Sequence, residues 1–505
     1  MKYLKNIYSK MIVAMLTVGI VACNPTEFGD TNVDPNNTTT AQTSGLLTSA
    51  LRQLPSTTAG NNGRDFRHGN LMVQYVGNTQ YVDDDNWNQV NFSFNGMYAG
   101  AMADLNLIIE LNEDEETAAG ATKFGSNGNQ IAVAKTLLAA FYYHITNRWG
   151  DIPFTEALQA SADPQVFAPG YDSQQAVYNG IFQLLDEARS SIDSGAGPDG
   201  DILLDGDMDA WRQFGNSIRM VAALNLSKAD ASLGQSQFNN ALSDGIATEV
   251  VYYQYLGETN NQNPWYAAFI TREDWSVTAT ITDYMQSSSF TNPYSGDAGM
   301  MDVAMDPRLP YYCNPVEESL PALEYIGQPY GLTTAEAGAI SNSSVSILGN
   351  FWRQQDMRFP ILSKEQLLFC RAEAAQLGWT SENAENMYYD AIMASLEFYG
   401  AEDDYDTFIT NSEVAWASGQ EMYKIGMQKW VAMFLVGYHS WDNWRRTGYP
   451  ALSYTAVNGI NSSTIPTRLA YPTSERDLNN SNWTAAISAQ GFSADDLNGV
   501  LWVFK

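Results

Sequence analysis

Two stretches of the chain mix flat aromatic rings with side-chain amides and charges. One is Asn78-Thr79-Gln80-Tyr81-Val82-Asp83-Asp84-Asp85-Asn86-Trp87-Asn88. The other is Asn263-Pro264-Trp265-Tyr266, continuing to Arg272-Glu273-Asp274-Trp275, and Trp352 in LGNFWRQQ is a third candidate. A sugar presents apolar C–H faces ringed by hydroxyls. Aromatic rings stack on the faces, while amides, carboxylates and guanidinium groups take the hydroxyls. Tyr81, Asp85, Trp87, Trp265, Tyr266, Trp275 and Trp352 are therefore the candidate ligand contacts. For any single Trp, packing into the protein competes with contact to a ligand.

Signs of catalysis are missing from the sequence. It contains no GxSxG, HExxH, CxxC or P-loop pattern. The one GxGxxG, Gly195 to Gly200, holds Pro198 and follows a helical run, so it fails the strand–turn–helix context of a dinucleotide site. His68, His144 and His439 stand far apart, and the last two sit inside aromatic helical runs as structural residues. The acids Asp199, Asp201 and Asp205 raise a calcium hypothesis, because hard cations take several loop oxygens. Their spacing is not that of an EF-hand. Asp207 or Asp209 more simply caps the helix that begins near Trp211. No other metal or cofactor is expected.

The elements that would position these loops are helical. In Glu421 to Pro450 the residues Met422, Ile425, Trp430, Phe434, Tyr438, Trp441 and Trp444 recur every three or four positions, which predicts one long buried helix. Gly448 and Pro450 end it, with Arg445 and Arg446 in the last turn. Further helices are predicted at 41–54, 89–111, 129–149, 175–192, from Trp211 onward, from Ser363 to a cap at Gly378, and at 381–399 before Gly400. Ser363 and Gln366 form a capping-box pattern. Between 250 and 350 the periodicity fades into Tyr, Trp, Asn, Gly and Pro, which predicts long loops with short strands. The fold class is mainly α: helix pairs of tetratricopeptide dimensions carrying an irregular, loop-rich region.

Charge narrows the partners. The chain carries 57 acidic against 26 basic residues, net −31. Nucleic acid and anionic lipid need dense Lys and Arg, so neither is a partner of this surface. A neutral ligand fits better. Lys2, Lys5 and Lys10 precede the apolar run Met11 to Ala22, too short to span a bilayer, and Ile20-Val21-Ala22-Cys23 resembles a lipobox. Residues 1–22 read as a lipoprotein signal peptide, Cys23 as the lipidated residue and 23–40 as a tether. Residues 41–505 form one folded unit, with helical core at 41–230 and 360–505 and the ligand-facing loops at 250–350. Cys313 and Cys370 are expected to be free.

Several runs resemble one family in order along the chain. They are DTNVDPNN, WGDIPFTEAL, WRQFGNSIRMVAALNLSK, MDPRLPYYCNP, YIGQPYG, QKWVAMFLVGYHSWDNWRRTGYP and RLAYPTSERDLNNSNW. Together they are similar to the SusD/RagB family of nutrient-binding outer-membrane lipoproteins of Bacteroidetes, in its SusD-like branch. The resemblance implies a surface-exposed, lipid-anchored protein that binds a glycan and serves as a lid on a SusC-type TonB-dependent transporter. It implies no catalysis. Capture of peptides or another nutrient by the same lid is an alternative, as is a glycoside hydrolase whose two carboxylates have no motif, or a tetratricopeptide scaffold for protein partners.

Overall fold

A computed structural model describes residues 41–58, 65–87, 92–160, 164–316, 324–452 and 464–505. The signal segment, Cys23, the tether and residues 88–91, the end of the first aromatic stretch and the start of the helix expected at 89–111, lie outside the described residues. From Thr43 to Lys505 the chain forms one compact unit. It is mainly α, as its periodicity predicts. Among the described residues no helix is long and apolar enough to cross a membrane.

The helices run α1 (Thr43–Gln53), α2 (Asp65–Met72), α3 (Ala103–Glu113), α4 (Asn127–Trp149), α5 (Gln174–Ser191), α6 (Met208–Asn225) and α7 (Ala231–Asp244). After the loop-rich stretch come α8 (Lys364–Gln376), α9 (Ala384–Tyr399), α10 (Glu421–Ala432) and α11 (Gly437–Thr447). They pack as sequence-adjacent pairs, α4 on α5, α6 on α7 and α8 on α9. Side-chain caps set the starts: Ser126 accepts from the Asn129 N–H, Ser173 from Ala176 and Ser363 from Gln366. The Ser363 box is only half made, because the Gln366 amide turns to Nδ1 of His439 at 2.9 Å. Gly400 and Gly448 close their helices in the left-handed conformation.

Helix α4 is the centre of the core. Every residue from Thr136 to Trp149 is buried, because α3, α5 and α6 all lie against it. Several of its polar side chains bond within the core. Asn147 and Tyr143 donate to Asp442 at 2.7 and 3.1 Å, and Tyr178 donates to the Asn147 carbonyl oxygen Oδ1 at 2.7 Å. Trp149 Nε1 donates to the Ala470 carbonyl at 2.8 Å and Tyr471 Oη to that of Asp151 at 2.6 Å. Two separated motifs, WGDIP and AYPTSE, thus clamp each other.

The long helix expected at 421–450 is two. Met433 to Val436 separate α10 from α11, and Leu435 takes a left-handed φ of 64°. The break lets α11 swing onto α2, where the backbones touch. A Cβ at Gly437 would lie 2.3 Å from the Asn70 nitrogen, so only glycine fits. The apolar stripe itself is buried as expected at Ile425, Trp430, Phe434, Tyr438 and Trp441. Arg446 does more than favour a helix end: it is enclosed and holds both oxygens of Glu373. Cys313 and Cys370 are buried and free.

The helix expected at 89–111 is also interrupted. A short turn at Asn95–Met97 runs through a π-type turn, Tyr98–Met102, into α3. Among the described residues, three short strands lie between 250 and 362, and a fourth, nearer the N-terminus, pairs with one of them. β1 (Val76–Asn78) pairs antiparallel with β3 (Trp275–Val277), and β2 (Val251–Gln254) pairs antiparallel with β4 (Arg358–Leu362).

Candidate ligand-binding face

The β1–β3 pair brings together the two aromatic stretches that stand about 190 residues apart. Val76 faces Val277, Gly77 faces Ser276 and Asn78 faces Trp275, and the Thr79 N–H continues the ladder to the Asp274 carbonyl at 2.8 Å. Beyond Asn78 the chain turns outward. Asn78 Oδ1 accepts from the N–H of Gln80 at 2.9 Å and of Tyr81 at 2.6 Å, an Asx turn that ends the strand. Asp85 Oδ2 accepts the Asn78 N–H at 2.9 Å and closes the loop from inside.

Tyr81 is thereby lifted into solvent, 58% exposed. The Arg272 guanidinium carbon lies 4.8 Å from its ring centre, and Arg272 is itself held by Asp274 Oδ1 at 2.8 and 3.0 Å. That bond raises the Arg272 pKa above its ordinary value. Glu273, between them, accepts through its carbonyl from Asn342 Nδ2 at 2.7 Å, and its carboxylate stands 3.6 Å from Arg353 Nη1. Arg353 rests 4.5 Å over the Phe269 ring, and burial lowers its pKa. One exposed ring thus stands beside guanidinium, carboxylate and amide groups. Such a set can stack on a sugar face and exchange hydrogen bonds with its hydroxyls.

The tryptophans lie elsewhere. Trp87, Trp265, Trp275 and Trp352 are each no more than 2% exposed, so none offers a ring face to a ligand. Trp265 packs edge-on to Trp275 at 6.2 Å. Trp352 sits among Phe351, Phe359, Phe398, Tyr399 and Phe434. Asn263 Nδ2 bonds the carbonyls of Trp352 and Gln354 at 2.7 and 2.9 Å, which sutures these loops. Burying so large an apolar surface is what lets irregular segments hold a fixed shape. Asp85 faces inward as well, and Tyr266 is partly exposed. Of the expected contacts, Tyr81 is the exposed aromatic. Arg353 and Asn342 were not singled out by sequence, since no pattern separates a loop Arg or Asn that faces the site from one that does not.

Internal hydrogen bonds organise the acidic loop. Asp201 accepts from the N–H groups of Leu203, Leu204 and Gly206 and from Trp211 Nε1, at 2.7 to 3.1 Å. Asp207 caps α6 through the Asp209 and Ala210 N–H groups. Asp199 and Asp205 point into solvent. Among the described residues no group of three or more His, Cys, Asp or Glu is arranged to hold a metal.

Fold and face together define a helical scaffold that displays a loop-borne polar and aromatic surface, the layout of a binding protein. Residues 35–472 match the family model of SusD-like proteins described as starch-binding and associating with the outer membrane, and the chain belongs to that family. Solved structures share the fold over 92% of this chain. They include a SusD homologue from Bacteroides fragilis (21% identity, 100% of that chain, TM-score 0.77) and one from Parabacteroides distasonis (20%, 98%, 0.76). A chitin-binding protein is similar at 22% identity over 100% of its length, TM-score 0.74. No curated protein matches the sequence.

Proposed function

We propose that this protein captures a neutral oligosaccharide at the cell surface and delivers it to a SusC-type TonB-dependent transporter, without catalysis. Family membership supports the class. The observation that carries the site is the exposed Tyr81 ring steadied by Arg272 and Asp274. In this reading Tyr81 stacks on a sugar ring, while Arg272, Asp274, Asn342 and Arg353 exchange hydrogen bonds with its hydroxyls. Cys23 carries the lipid that anchors the protein to the outer membrane, and multiple acyl chains make that attachment stable. A single stacking site binds weakly, and affinity rises when a transporter engages the same chain.

The test is calorimetric titration of the purified protein with starch-derived, chitin-derived, xylan and mannan oligosaccharides, beside Tyr81→Ala. Saturable heat with one of them, lost in the variant, supports the reading. Silence across the panel from folded protein overturns it in favour of peptide or another nutrient.

A further inference from the structure

A polar cavity lies between α1 and the segment that follows β2, apart from the Tyr81 face. Its volume is about 560 Å³, and Arg52, Gln53, Tyr255, Asn260 and Gln262 contribute to its lining. That size falls in the range of small-ligand sites, roughly 300–1,000 Å³.

Three observations distinguish it from the Tyr81 face. First, no carboxylate among the described residues lines it, although acids outnumber bases two to one in the chain. Second, Arg52 pairs with no carboxylate among the described residues; its Nη2 donates to the Asn260 carbonyl at 2.7 Å, which fixes the guanidinium in place. Third, Tyr255 is 7% exposed, and its hydroxyl, the part of it that solvent reaches, makes no hydrogen bond among the described residues. Tyr253, beside it at 5.0 Å, does satisfy its own hydroxyl, on Asn261 Oδ1 at 2.8 Å. Burial raises the Tyr255 pKa, so the phenol stays a donor at neutral pH. That hydroxyl is free to bond water or a ligand in the cavity.

The amides add to the set. Gln262 accepts from Gln355 Nε2 at 3.1 Å through its oxygen, which leaves its NH2 for another acceptor. The side chains of Gln53 and Asn260 make no hydrogen bond among the described residues. The cavity therefore offers one guanidinium and several neutral donors and acceptors, with no exposed ring face for stacking.

We infer that this cavity is a second saccharide site and takes a sugar unit bearing one carboxylate, a hexuronate, with Arg52 on the acid group and Tyr255, Asn260 and Gln262 on ring hydroxyls. The inference rests on the glycan-binding reading but concerns a separate set of residues. A planar carboxylate matches the guanidinium fork, and a lone cation in a carboxylate-free cavity balances a single negative charge. Elsewhere the acidic surface opposes such a ligand.

The experiment is calorimetric titration of the purified protein, in calcium-free buffer, with trigalacturonate and with its neutral methyl ester. The acid is expected to bind at least tenfold more tightly than the ester. Arg52→Gln, on an exposed side chain, removes that preference, and Tyr255→Phe weakens the acid several-fold with an unchanged melting temperature. Equal binding of the two forms, or a preference that survives Arg52→Gln, overturns the site. Silence toward trigalacturonate from protein that still binds a neutral glycan overturns this site and leaves the Tyr81 reading standing. Trigalacturonate binding that depends on Arg52, in protein silent to every neutral glycan, sinks the Tyr81 reading and keeps this one.

Discussion

The guanidinium of Arg272 lies 4.8 Å from the centre of the Tyr81 ring, and both belong to loops joined by the short β1–β3 pair. A cation over one face fixes the ring's tilt and leaves its remaining surface to solvent. At an exposed site such a contact contributes about 0.5–1 kcal/mol. Arg272→Ala is therefore expected to weaken glycan binding about two- to fivefold by calorimetry. Tyr81→Ala, which removes the platform, is expected to cost tenfold or more. Neither should lower the melting temperature, since both side chains are largely solvated. A matching loss of stability would assign them to structure.

The buried tryptophans behave in the opposite way. Trp352 stands in a ring of five aromatic side chains, and truncating so large a core residue costs about 3–5 kcal/mol. Trp352→Ala and Trp265→Ala should shift the denaturation midpoint strongly. A variant of either that stays fully stable and loses only ligand affinity would contradict their placement.

Glu373 neutralises two cations inside the core, Arg446 through both carboxylate oxygens and Lys429 at 3.8 Å. Glu373→Ala leaves those charges without a counter-ion, a loss of about 3–5 kcal/mol. Chemical denaturation reads this directly. A change under about 1 kcal/mol would mean that the charges find water or another partner.

Glu365, in the first turn of α8, is 4% exposed, and burial pushes its carboxyl up to about 7 from 4.5. Because the folded value is the higher one, its favourable contribution is complete below pH 4.5 and disappears as pH rises through 7. The shift corresponds to about 3 kcal/mol. Glu365→Gln should therefore gain stability over the parent protein as pH rises from 4.5 to 8. Unfolding curves that stay parallel across that window would refute the assignment.

Gly437 meets the Asn70 backbone where α11 crosses α2. Gly437→Ala forces those backbones apart and is expected to destabilise by about 1–3 kcal/mol. Gly120→Ala, where nothing lies within 4 Å of the added carbon, is the control and should be neutral or better. Equal melting temperatures for the two variants would deny the close approach.

Helices, their caps and the order of the motifs were legible in the sequence because each depends on neighbours within a turn or two. Gly150, Gly400 and Gly448 end their helices where a glycine is written. The composition of the two aromatic loops was legible too. Their inside and outside were not. A helix repeats every 3.6 residues and so declares a face, whereas residues 78–88 and 263–275 have no period from which to assign one. Trp87, Trp265, Trp275 and Trp352 went inward because apolar area is the main thing that can hold irregular loops together, and Tyr81 stayed out because the Asn78 turn points it there. The break at Met433 to Val436 was hidden for a related reason. The apolar stripe continues through it, and only the crossing of α11 with α2, where Gly437 meets Asn70 from 367 positions away in the chain, demanded that the helix bend. Sequence thus determined which elements form and which side chains each loop supplies. Long-range packing alone decided which of those side chains a ligand can reach.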